Sequence, residues 1–312
     1  MNQMIPDEPP KRLPSWLKRS RDQETLRNMK KCLRQAALST VCEEARCPNI
    51  CECFSLPTAT FLILGDTCTR SCSFCSVKKG VPEDPNPDEP EHVALTAAAL
   101  GLNHVVITSV TRDDLPDGGA SAFVRTMGAL REVLPAATID VLTPDFSGNM
   151  NHLDMVLEQN PQIFSHDVET ISRQYPHVRP RARLKTSLSL LTHAKKFSGD
   201  FIVKSGFMVG LGETEEEILE LLEHLRDASC DVVTIGQYLQ PTRLNTPVAR
   251  FWEPHYFERW KDLGESLGLP VVLAGPLVRS SYRSHELLDR FGLLKTSRNS
   301  LGPKGNTMNS PG

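Results

Sequence analysis

Cysteine is the residue type whose number and spacing in this sequence suggest chemistry. Seven of the nine cysteines lie between Val41 and Val77, in two groups separated by the apolar run from Ala59 to Leu64. An odd number of cysteines does not fit a framework made of disulfides alone. The N-terminus has no apolar signal core, which predicts a cytoplasmic protein, and thiols in that reducing compartment favour metal ligation or catalysis.

The second group has the spacing C-x3-C-x2-C, formed by Cys68, Cys72 and Cys75. Three thiolates are one fewer than the four that complete a 4Fe–4S cluster, so such a cluster would keep one iron open for a ligand with an amine and a carboxylate. The alternative is a zinc site, which usually pairs C-x2-C with a second such pair or with histidines. No second pair follows in the sequence. The spacing therefore favours an iron–sulfur cluster with an open coordination site.

The first group contains Cys42, Cys47, Cys51 and Cys53. Cys42, Cys47 and Cys53 form another trio of possible cluster ligands. Cys51 lies only two residues before Cys53 and could replace one of them. Spacing alone leaves open which three of the four bind a metal.

From Ala59 onward the sequence predicts strands that alternate with helices. The strands are apolar runs without strict alternation of polar residues, as expected when both faces of a sheet are covered. The predicted strands are Ala59–Leu64, His104–Val110, Thr138–Leu142, Gln162–His166, Phe201–Met208, Val232–Tyr238 and Val271–Ala274. The predicted helices are Glu91–Leu100, Ala120–Val133, Asn151–Gln159, Lys185–Phe197, Glu213–Ala228 and Pro254–Leu267.

Six complete strand–helix units predict an α/β fold whose parallel sheet closes partly into a barrel. A complete barrel of the triosephosphate-isomerase type needs eight units, so the predicted fold is a partial (βα)6 TIM-type barrel. Functional groups of such folds gather on the loops that follow the carboxyl ends of the strands. The second cysteine group directly follows the first predicted strand, which is the expected place for a functional site.

The motif formed by Cys68, Cys72 and Cys75 resembles the signature of the radical S-adenosylmethionine (SAM) superfamily. The resemblance implies that a reduced 4Fe–4S cluster cleaves SAM to methionine and a 5′-deoxyadenosyl radical, which abstracts hydrogen from an unactivated carbon. No amino-acid side chain performs that reaction at neutral pH, which is why a cofactor carries it.

The segment CEEARCPNICECF, a short distance before that motif, is similar to the C-x4-C-x5-C motif of lipoyl synthases. The resemblance implies that Cys42, Cys47 and Cys53 hold an auxiliary 4Fe–4S cluster, which is consumed because its sulfides become the inserted sulfur. Cys51 departs from the family, which usually has a small residue other than cysteine there. A spare thiol at that place could be inert, exchange as a ligand or be oxidised.

The C-terminal segment from Arg279 to Tyr282 resembles the Arg-Ser-Ser-Tyr segment of the same family. The resemblance implies that Ser281 is the fourth ligand of the auxiliary cluster, with Ser280 as the neighbouring alternative. A serine oxygen is a harder and less usual donor to iron than a thiolate, so it can leave and expose the cluster. Without the cysteine motifs, this segment would read as an ordinary polar stretch after the last strand.

Three loops that follow predicted strands also resemble segments of the family and imply contacts to SAM. Carboxylates can pair with the SAM amine, and glycine lets the backbone approach a ligand closely. The first of these loops contains an Asp-Gly pair, so a solvated acidic turn is the alternative there. The predicted SAM-binding residues are Asp113, Asp114, Glu169, Lys204 and Gly210.

One of these loops departs from the family pattern at Asp167. The family has Asn in the corresponding H-N-x-E-T segment, so a neutral amide is replaced by a group that only accepts hydrogen bonds. The neighbouring His166 is a candidate contact to SAM or substrate. A single histidine at a strand end is otherwise more often a hydrogen-bonded structural residue.

The predicted organisation has three parts. Residues 1–58 form an N-terminal extension with the first cysteine motif, residues 59–275 form the barrel, and residues 276–312 form a C-terminal extension with the serine ligand. The two extensions together are expected to build the auxiliary cluster site.

The terminal segments give weaker predictions. Met1–Met29 is rich in proline and charge and is predicted to be either a surface arm anchored by Trp16 and Leu17 or a disordered tail. Leu26–Leu38 has the apolar spacing of a short helix. Thr296–Gly312, rich in Ser, Gly, Asn and Pro, is predicted to be disordered.

The resemblance to lipoyl synthases implies a sulfurtransferase that inserts two sulfur atoms at C6 and C8 of an octanoyl chain bound to a lysine, with two SAM molecules consumed. The implied substrates are octanoylated lipoyl-carrier domains, either the E2 component of a 2-oxoacid dehydrogenase or the H protein of glycine cleavage. A small electron donor such as flavodoxin or ferredoxin and an iron–sulfur cluster carrier are the other implied partners.

Two alternatives remain. The first is another radical SAM enzyme with an auxiliary cluster that modifies tRNA or a peptide, although a tRNA enzyme usually carries an added basic module. The second is a non-catalytic iron–sulfur or zinc protein. A formal net charge of −3 does not indicate a nucleic-acid partner, and no apolar run approaches the ~20 residues of a membrane span.

Overall fold

The computed structural model describes residues 12–18, 38–55 and 59–293, together with positions 27, 30, 31, 33, 34 and 36. Within the predicted N-terminal arm, Ser15–Leu17 forms a 3-10 helix in which Leu17 is buried, whereas Trp16 is 39% exposed. Positions 27, 30, 31, 33 and 34 of the predicted helix Leu26–Leu38 are helical. The rest of the arm and the predicted disordered tail, Thr296–Gly312, lie outside the described residues.

An eight-stranded sheet forms the centre of the described fold, in the order β1-β2-β5-β6-β7-β8-β9-β10, and β3 and β4 form a separate ribbon. The strands are β1 (Ser39–Thr40), β2 (Thr60–Ile63), β3 (Thr67–Cys68), β4 (Lys78–Lys79), β5 (His104–Ser109), β6 (Thr138–Leu142), β7 (Ile163–Ser165), β8 (Ile202–Val209), β9 (Val232–Gln237) and β10 (Val271–Gly275). From β2 onward the sheet is parallel, and β1 pairs with β2 in the antiparallel direction. Within the described residues the edges β1 and β10 do not pair, so the predicted partial barrel is confirmed.

Helices on the outer face complete the six predicted strand–helix units. The helices are α1 (Val41–Glu44), α2 (Ile50–Ser55), α3 (Glu89–Ala99), α4 (Ala120–Val133), α5 (Met150–Leu157), α6 (Tyr175–Val178), α7 (Leu184–Lys196), α8 (Glu215–Asp227), α9 (Pro254–Ser266) and α10 (His285–Arg290). Helix α8 begins two residues later than predicted, because Thr214 caps it: its side chain accepts from the backbone of Glu217, and the Glu217 side chain accepts in return. No helix within the described ranges is long and apolar enough to cross a membrane.

The two faces of the sheet have different chemistry because alternate strand residues point to opposite sides. Val203 and Ile235 belong to the apolar core that also contains Ile218 and Leu222 of α8, so they pack between sheet and helices. The residues that alternate with them point to the inner face of the partial barrel. This inner face carries several polar side chains, which makes it a place for a site rather than a second apolar core.

Helix α10 covers the end of the partial barrel at which the parallel strands begin. Its Leu287 and Leu288 pack against the first residues of four strands, Ile163, Ile202, Val232 and Val271. The second cysteine group follows the carboxyl end of β2, so it lies at the opposite end. The C-terminal extension therefore travels from the end of β10 back to the start of the strands.

Candidate metal centres

The loop with the second cysteine group is closed at its base by the short ribbon of β3 and β4. Cys68 pairs with Lys79 in this ribbon, and the Gly80 N–H donates to the Cys68 carbonyl oxygen over 3.1 Å. The Cys68 sulfur accepts a hydrogen bond from the Arg70 N–H at 3.4 Å. The ribbon was not predicted, because two-residue strands carry no recognisable period.

Asn245 and its neighbour fix the middle of this loop from the segment that follows β9. The Asn245 side-chain amide donates to the carbonyl oxygens of Ser73 and Cys75 over 3.1 and 2.9 Å. The Thr246 N–H donates to the Ser73 carbonyl oxygen, and the Ser73 N–H donates to that of Val178. The cysteine loop is thus held from two further loops at the same end of the barrel.

Arg70 ties the same loop to the ends of two other strands. Its guanidinium donates to both oxygens of Asp113 over 2.9 and 2.8 Å and to both oxygens of Asp145 over 2.7 and 2.6 Å. Arg70 is 6% exposed and Asp145 is 3% exposed. Bidentate pairs of this kind fix geometry as well as charge. Arg70 therefore orients the cysteine loop through its carboxylate partners.

Two thiols of this loop, those of Cys72 and Cys75, have pKa values above the ordinary value for cysteine. Burial is the main cause at Cys72, where Glu169 and Cys68 add to the rise and Arg179 opposes it. Burial raises the pKa of Cys75 to about 12. Metal binding must therefore displace protons from these thiols, which couples loading to pH.

Two residues of the first cysteine group meet Ser281 in a single cavity. Helix α1 begins after Thr40, whose hydroxyl accepts from the Glu43 N–H, and this cap places Cys42 in the first turn. Cys42, Cys53 and Ser281 all line the cavity. Ser281 is remote in sequence from both cysteines, so the tertiary fold alone brings the three side chains together.

Cys47 belongs to the same group by its electrostatic influence. Burial raises the pKa of Cys42 well above its usual range, and nearby Cys47 and Cys53 raise it further. Burial, Cys47 and Glu52 raise the pKa of Cys53 to about 12. Cys47 and Cys51 do not line the cavity that contains Ser281 and instead lie on a second one with Cys42.

Among the residues that the structure describes, no three His, Cys, Asp or Glu side chains lie close enough together to hold a single metal ion. A 4Fe–4S cluster makes a different demand, because each thiolate binds its own iron at its own corner. Both cysteine groups fit that wider arrangement in their donor types and in their mutual proximity.

Contacts on both sides of Ser281 fasten the C-terminal extension to the N-terminal one. The Asn49 side chain donates to the Leu277 carbonyl oxygen over 2.6 Å, and the Tyr282 hydroxyl donates to Glu52 over 2.6 Å. The Ser280 hydroxyl donates instead to Asp167, over 2.9 Å. Of the two adjacent serines, Ser281 is therefore the one that lies on the cysteine cavity.

Three of the residues predicted to bind SAM already have charged side-chain partners. Asp113 is paired with Arg70, and Asp114 accepts from the guanidinium of Arg112 at 2.8 to 3.1 Å. Lys204 donates to the buried carboxylate of Asp140 over 2.6 Å. These partners use much of the hydrogen-bonding capacity of the three side chains. Their contacts to SAM stay a prediction.

Gly210 and Glu169 have environments that differ from those of the charged pairs. Gly210 has a φ of 103°, and an added Cβ would collide with the Gln237 amide, so only glycine fits there. Glu169 has a φ of 66°, and burial together with Asp167 raises its pKa to about 7. Glu169 influences the pKa values of both Cys72 and Cys75, which places it beside the second cysteine group.

His166 is a structural residue in this fold. Its Nδ1 lies 2.9 Å from the Thr143 carbonyl oxygen, and its Nε2 lies 2.9 Å from the Ser187 hydroxyl. Nδ1 must carry the proton, because a carbonyl oxygen only accepts, and Nε2 then accepts from the hydroxyl. Both ring nitrogens are thus used inside the protein, which agrees with the structural alternative for this histidine.

We expect His166 to make stability depend on pH. Burial, followed by the charge of Arg179, lowers its pKa from 6.5 to about 4. Below pH 6.5 the unfolded chain therefore binds a proton at this histidine, whereas the folded chain does not bind it until the pH approaches 4. The contribution of His166 to the free energy of unfolding is therefore fully present above pH 6.5 and is lost as the pH falls toward 4. Removing the ring in His166→Gln should reduce the loss between pH 7 and pH 5 by on the order of 2 kcal/mol.

Urea unfolding of wild type and His166→Gln at both pH values gives this difference directly. Contributions that the two proteins share, including those of bound metal and of the other buried histidine, His104, cancel in the comparison. An equal loss of stability in both proteins on acidification would exclude His166 as the titrating group.

A family model for the Radical SAM superfamily matches residues 62–225 of the chain. A lipoyl synthase from Rubrobacter xylanophilus is 48% identical over 293 residues, which cover 94% of this chain and 90% of that protein. A lipoyl synthase from Caldicellulosiruptor bescii is 50% identical over 277 residues, which cover 88% of this chain and 95% of that protein. The chain belongs to the lipoyl synthase family. The predicted family and activity are therefore confirmed.

Solved structures support the fold of this lipoyl synthase family member. The likeness to methylornithine synthase has a TM-score of 0.50 at 13% identity and covers 90% of both chains. The likeness to SuiB of Streptococcus suis, solved with its precursor peptide SuiA, has a TM-score of 0.56 at 13% identity and covers 83% of this chain and 55% of that one. At such identities the likeness extends to the fold alone.

Sequence reasoning missed several residues that shape the site in this lipoyl synthase family member. All of them except Arg179 share one property, which is that their partners are distant in sequence. The residues are Arg70, Asn245, Asp140, Asp145, Arg179 and Gly236. Only Arg70 had a usable signal, since it lies inside the cysteine motif itself.

Proposed function

We propose that the two cysteine groups hold separate 4Fe–4S clusters with different tasks. Cys68, Cys72 and Cys75 are the ligands of one cluster, the open cluster. Cys42, Cys47, Cys53 and Ser281 are the ligands of the other, the auxiliary cluster. The observation that carries the proposal is the cavity shared by Cys42, Cys53 and Ser281. Three cysteines and one serine complete the four ligands of the auxiliary cluster, whereas three cysteines leave one iron of the open cluster without a protein ligand.

When bound, the open cluster and SAM supply the 5′-deoxyadenosyl radical, and the auxiliary cluster supplies sulfur. The residues of the protein hold the cysteine ligands in place. Arg70 and Asn245 hold the loop that carries Cys68, Cys72 and Cys75 at the end of the barrel where the strands finish. The raised pKa values of Cys72 and Cys75 mean that the loop takes up metal with release of protons.

A buried donor beside the second cysteine group supports a binding site for an anionic ligand there. The Arg179 Nε is buried and has no partner among the residues described. Its Nη1 donates to the carbonyl oxygens of Asp167 and Val168, so the guanidinium is fixed in place. Its charge also lowers the pKa of Cys72. A fixed cation with an unused N–H suits the carboxylate of SAM.

The proposed substrate is an octanoyl chain in amide linkage to a lysine of a lipoyl-carrier domain. The reaction inserts sulfur at C6 and C8, with one SAM consumed for each hydrogen abstracted. The carrier is the E2 component of a 2-oxoacid dehydrogenase or the H protein of glycine cleavage. Electrons come from a small donor such as flavodoxin or ferredoxin, and an iron–sulfur carrier rebuilds the auxiliary cluster.

Anaerobic reconstitution tests this function. The protein is loaded with iron and sulfide and mixed with SAM, a reductant and an octanoyl-lysine peptide. Mass spectrometry should find 5′-deoxyadenosine and a peptide that has gained two sulfur atoms. Formation of the nucleoside with an unchanged octanoyl group would instead favour another radical SAM enzyme with an auxiliary cluster.

A further inference from the structure

The segment that carries Ser281 lies along the inner face of the sheet. We call residues 276–284 the C-terminal strap. At its start, the Gln237 N–H donates to the Pro276 carbonyl oxygen over 3.3 Å. At its end, the Ser284 hydroxyl lies 2.8 Å from Nε2 of His104, the first residue of β5. The strap thus runs from the carboxyl end of β9 and β10 to the end where the strands begin.

Gly236 of β9 provides the space through which the strap passes. A Cβ on Gly236 would collide with the Val278 carbonyl oxygen and would lie 2.8 Å from Nη1 of Arg279. The φ of Gly236 is outside the left-handed region, so glycine is not needed for conformation. It is needed because any side chain would occupy the position of the strap.

Asp167, which follows β7, holds the strap at a second point. Its Oδ1 accepts the hydrogen bond from the Ser280 hydroxyl at 2.9 Å. Space for this carboxylate is provided by Gly206, where a Cβ would lie 3.0 Å from the same oxygen. Asp167 is one of the positions at which the chain departs from the family pattern. An acceptor oxygen is all that this contact requires.

We propose that Gly236 and Asp167 are positioning residues for Ser281. The strap is fixed at Val278 and Ser280, and the next residue, Ser281, lines the cavity that contains Cys42 and Cys53. Serine is a weaker ligand for iron than cysteine, so its place must be set by the protein rather than by the metal. The proposal rests on the function proposed above and adds the residues that deliver the serine.

Gly236→Ala tests the inference, with Gly128→Ala as the matched control. Gly128 lies in α4, where an added Cβ meets nothing within 4 Å. In the full-length chain without metal, hydrogen exchange of the strap peptide should be faster by about 10-fold or more in Gly236→Ala and unchanged in Gly128→Ala. After loading, Gly236→Ala should still cleave SAM, while sulfur insertion falls about 10-fold or more, the loss expected for a displaced ligand.

A second pair of variants keeps the test valid if Gly236→Ala does not fold. Asp167→Asn retains an acceptor oxygen and should retain both strap protection and sulfur insertion, whereas Asp167→Leu should lose both. Wild-type exchange and wild-type insertion in Gly236→Ala and Asp167→Leu would overturn the inference. Failure of the wild type to insert sulfur would overturn the proposed function instead, and the exchange results without metal would still decide the role of the strap contacts.

Discussion

We expect Cys72→Ala to lose SAM cleavage and Cys53→Ala to keep it while losing sulfur insertion. Removing Cys72 leaves two thiolates for a cluster that has only three, so 5′-deoxyadenosine should fall to the background of a protein-free assay. Removing Cys53 disturbs the other group. The loop with Cys72 is held by contacts of Arg70 with Asp145 and of Asn245 with the Cys75 carbonyl oxygen, so its cluster should survive.

Cys51→Ala is the control for both variants. Cys51 lies in the same segment as Cys53 but outside the cavity that contains Ser281. Each ligand variant should retain about four iron atoms per chain, and Cys51→Ala should retain about eight. Sulfur insertion at the wild-type rate by Cys53→Ala, or its loss in Cys51→Ala, would show that the ligand set is different from the one proposed.

Arg70→Met should reduce the free energy of unfolding by about 3–5 kcal/mol, because it leaves an almost fully buried carboxylate without its cation. Asp145 accepts two hydrogen bonds from Arg70, which hold its pKa below the usual range against the effect of burial. Without the guanidinium, Asp145 must stay charged and unpaired or take up a proton. Asp113 is more exposed and loses less, since solvent screens its charge.

Urea unfolding of the two proteins measures this loss as a lower midpoint at an unchanged slope. The double variant Arg70→Met/Asp145→Asn removes the buried charge as well and should recover part of the stability, which the double-mutant cycle isolates. Arg70→Lys keeps the charge but not the two-pronged geometry and should fall in between. A free energy of unfolding for Arg70→Met within about 1 kcal/mol of the wild-type value would mean that the pair contributes little.

The parts of the site that depend on local spacing could be predicted from the sequence. Cys68, Cys72 and Cys75 lie within one loop, so their spacing alone reveals a three-thiolate site. The strand–helix alternation likewise predicts the partial barrel, because each run of five or so apolar residues is long enough to show its period. The two-residue strand β1 and the ribbon of β3 and β4 are too short for that.

The parts that depend on tertiary contacts could not be predicted from spacing. Nothing local marks Ser281 as a ligand, and it was found only through the resemblance of its segment to a family. Arg70 and Asp145 are 75 residues apart, so neither identifies the other. The steric need for Gly236 arises from Val278, which reaches it from a later part of the chain. Such requirements become visible only when the strap is seen inside the barrel.

The central claim is that one cluster makes the radical and the other is dismantled to supply the sulfur. The most direct measurement is to load the protein with heavy-isotope sulfide, remove all free sulfide, and run a single turnover on an octanoyl-lysine peptide. Both sulfur atoms in the product should carry the heavy isotope, and the iron of the auxiliary cluster should be released. A product whose sulfur is light, or one formed while both clusters remain intact, would contradict it.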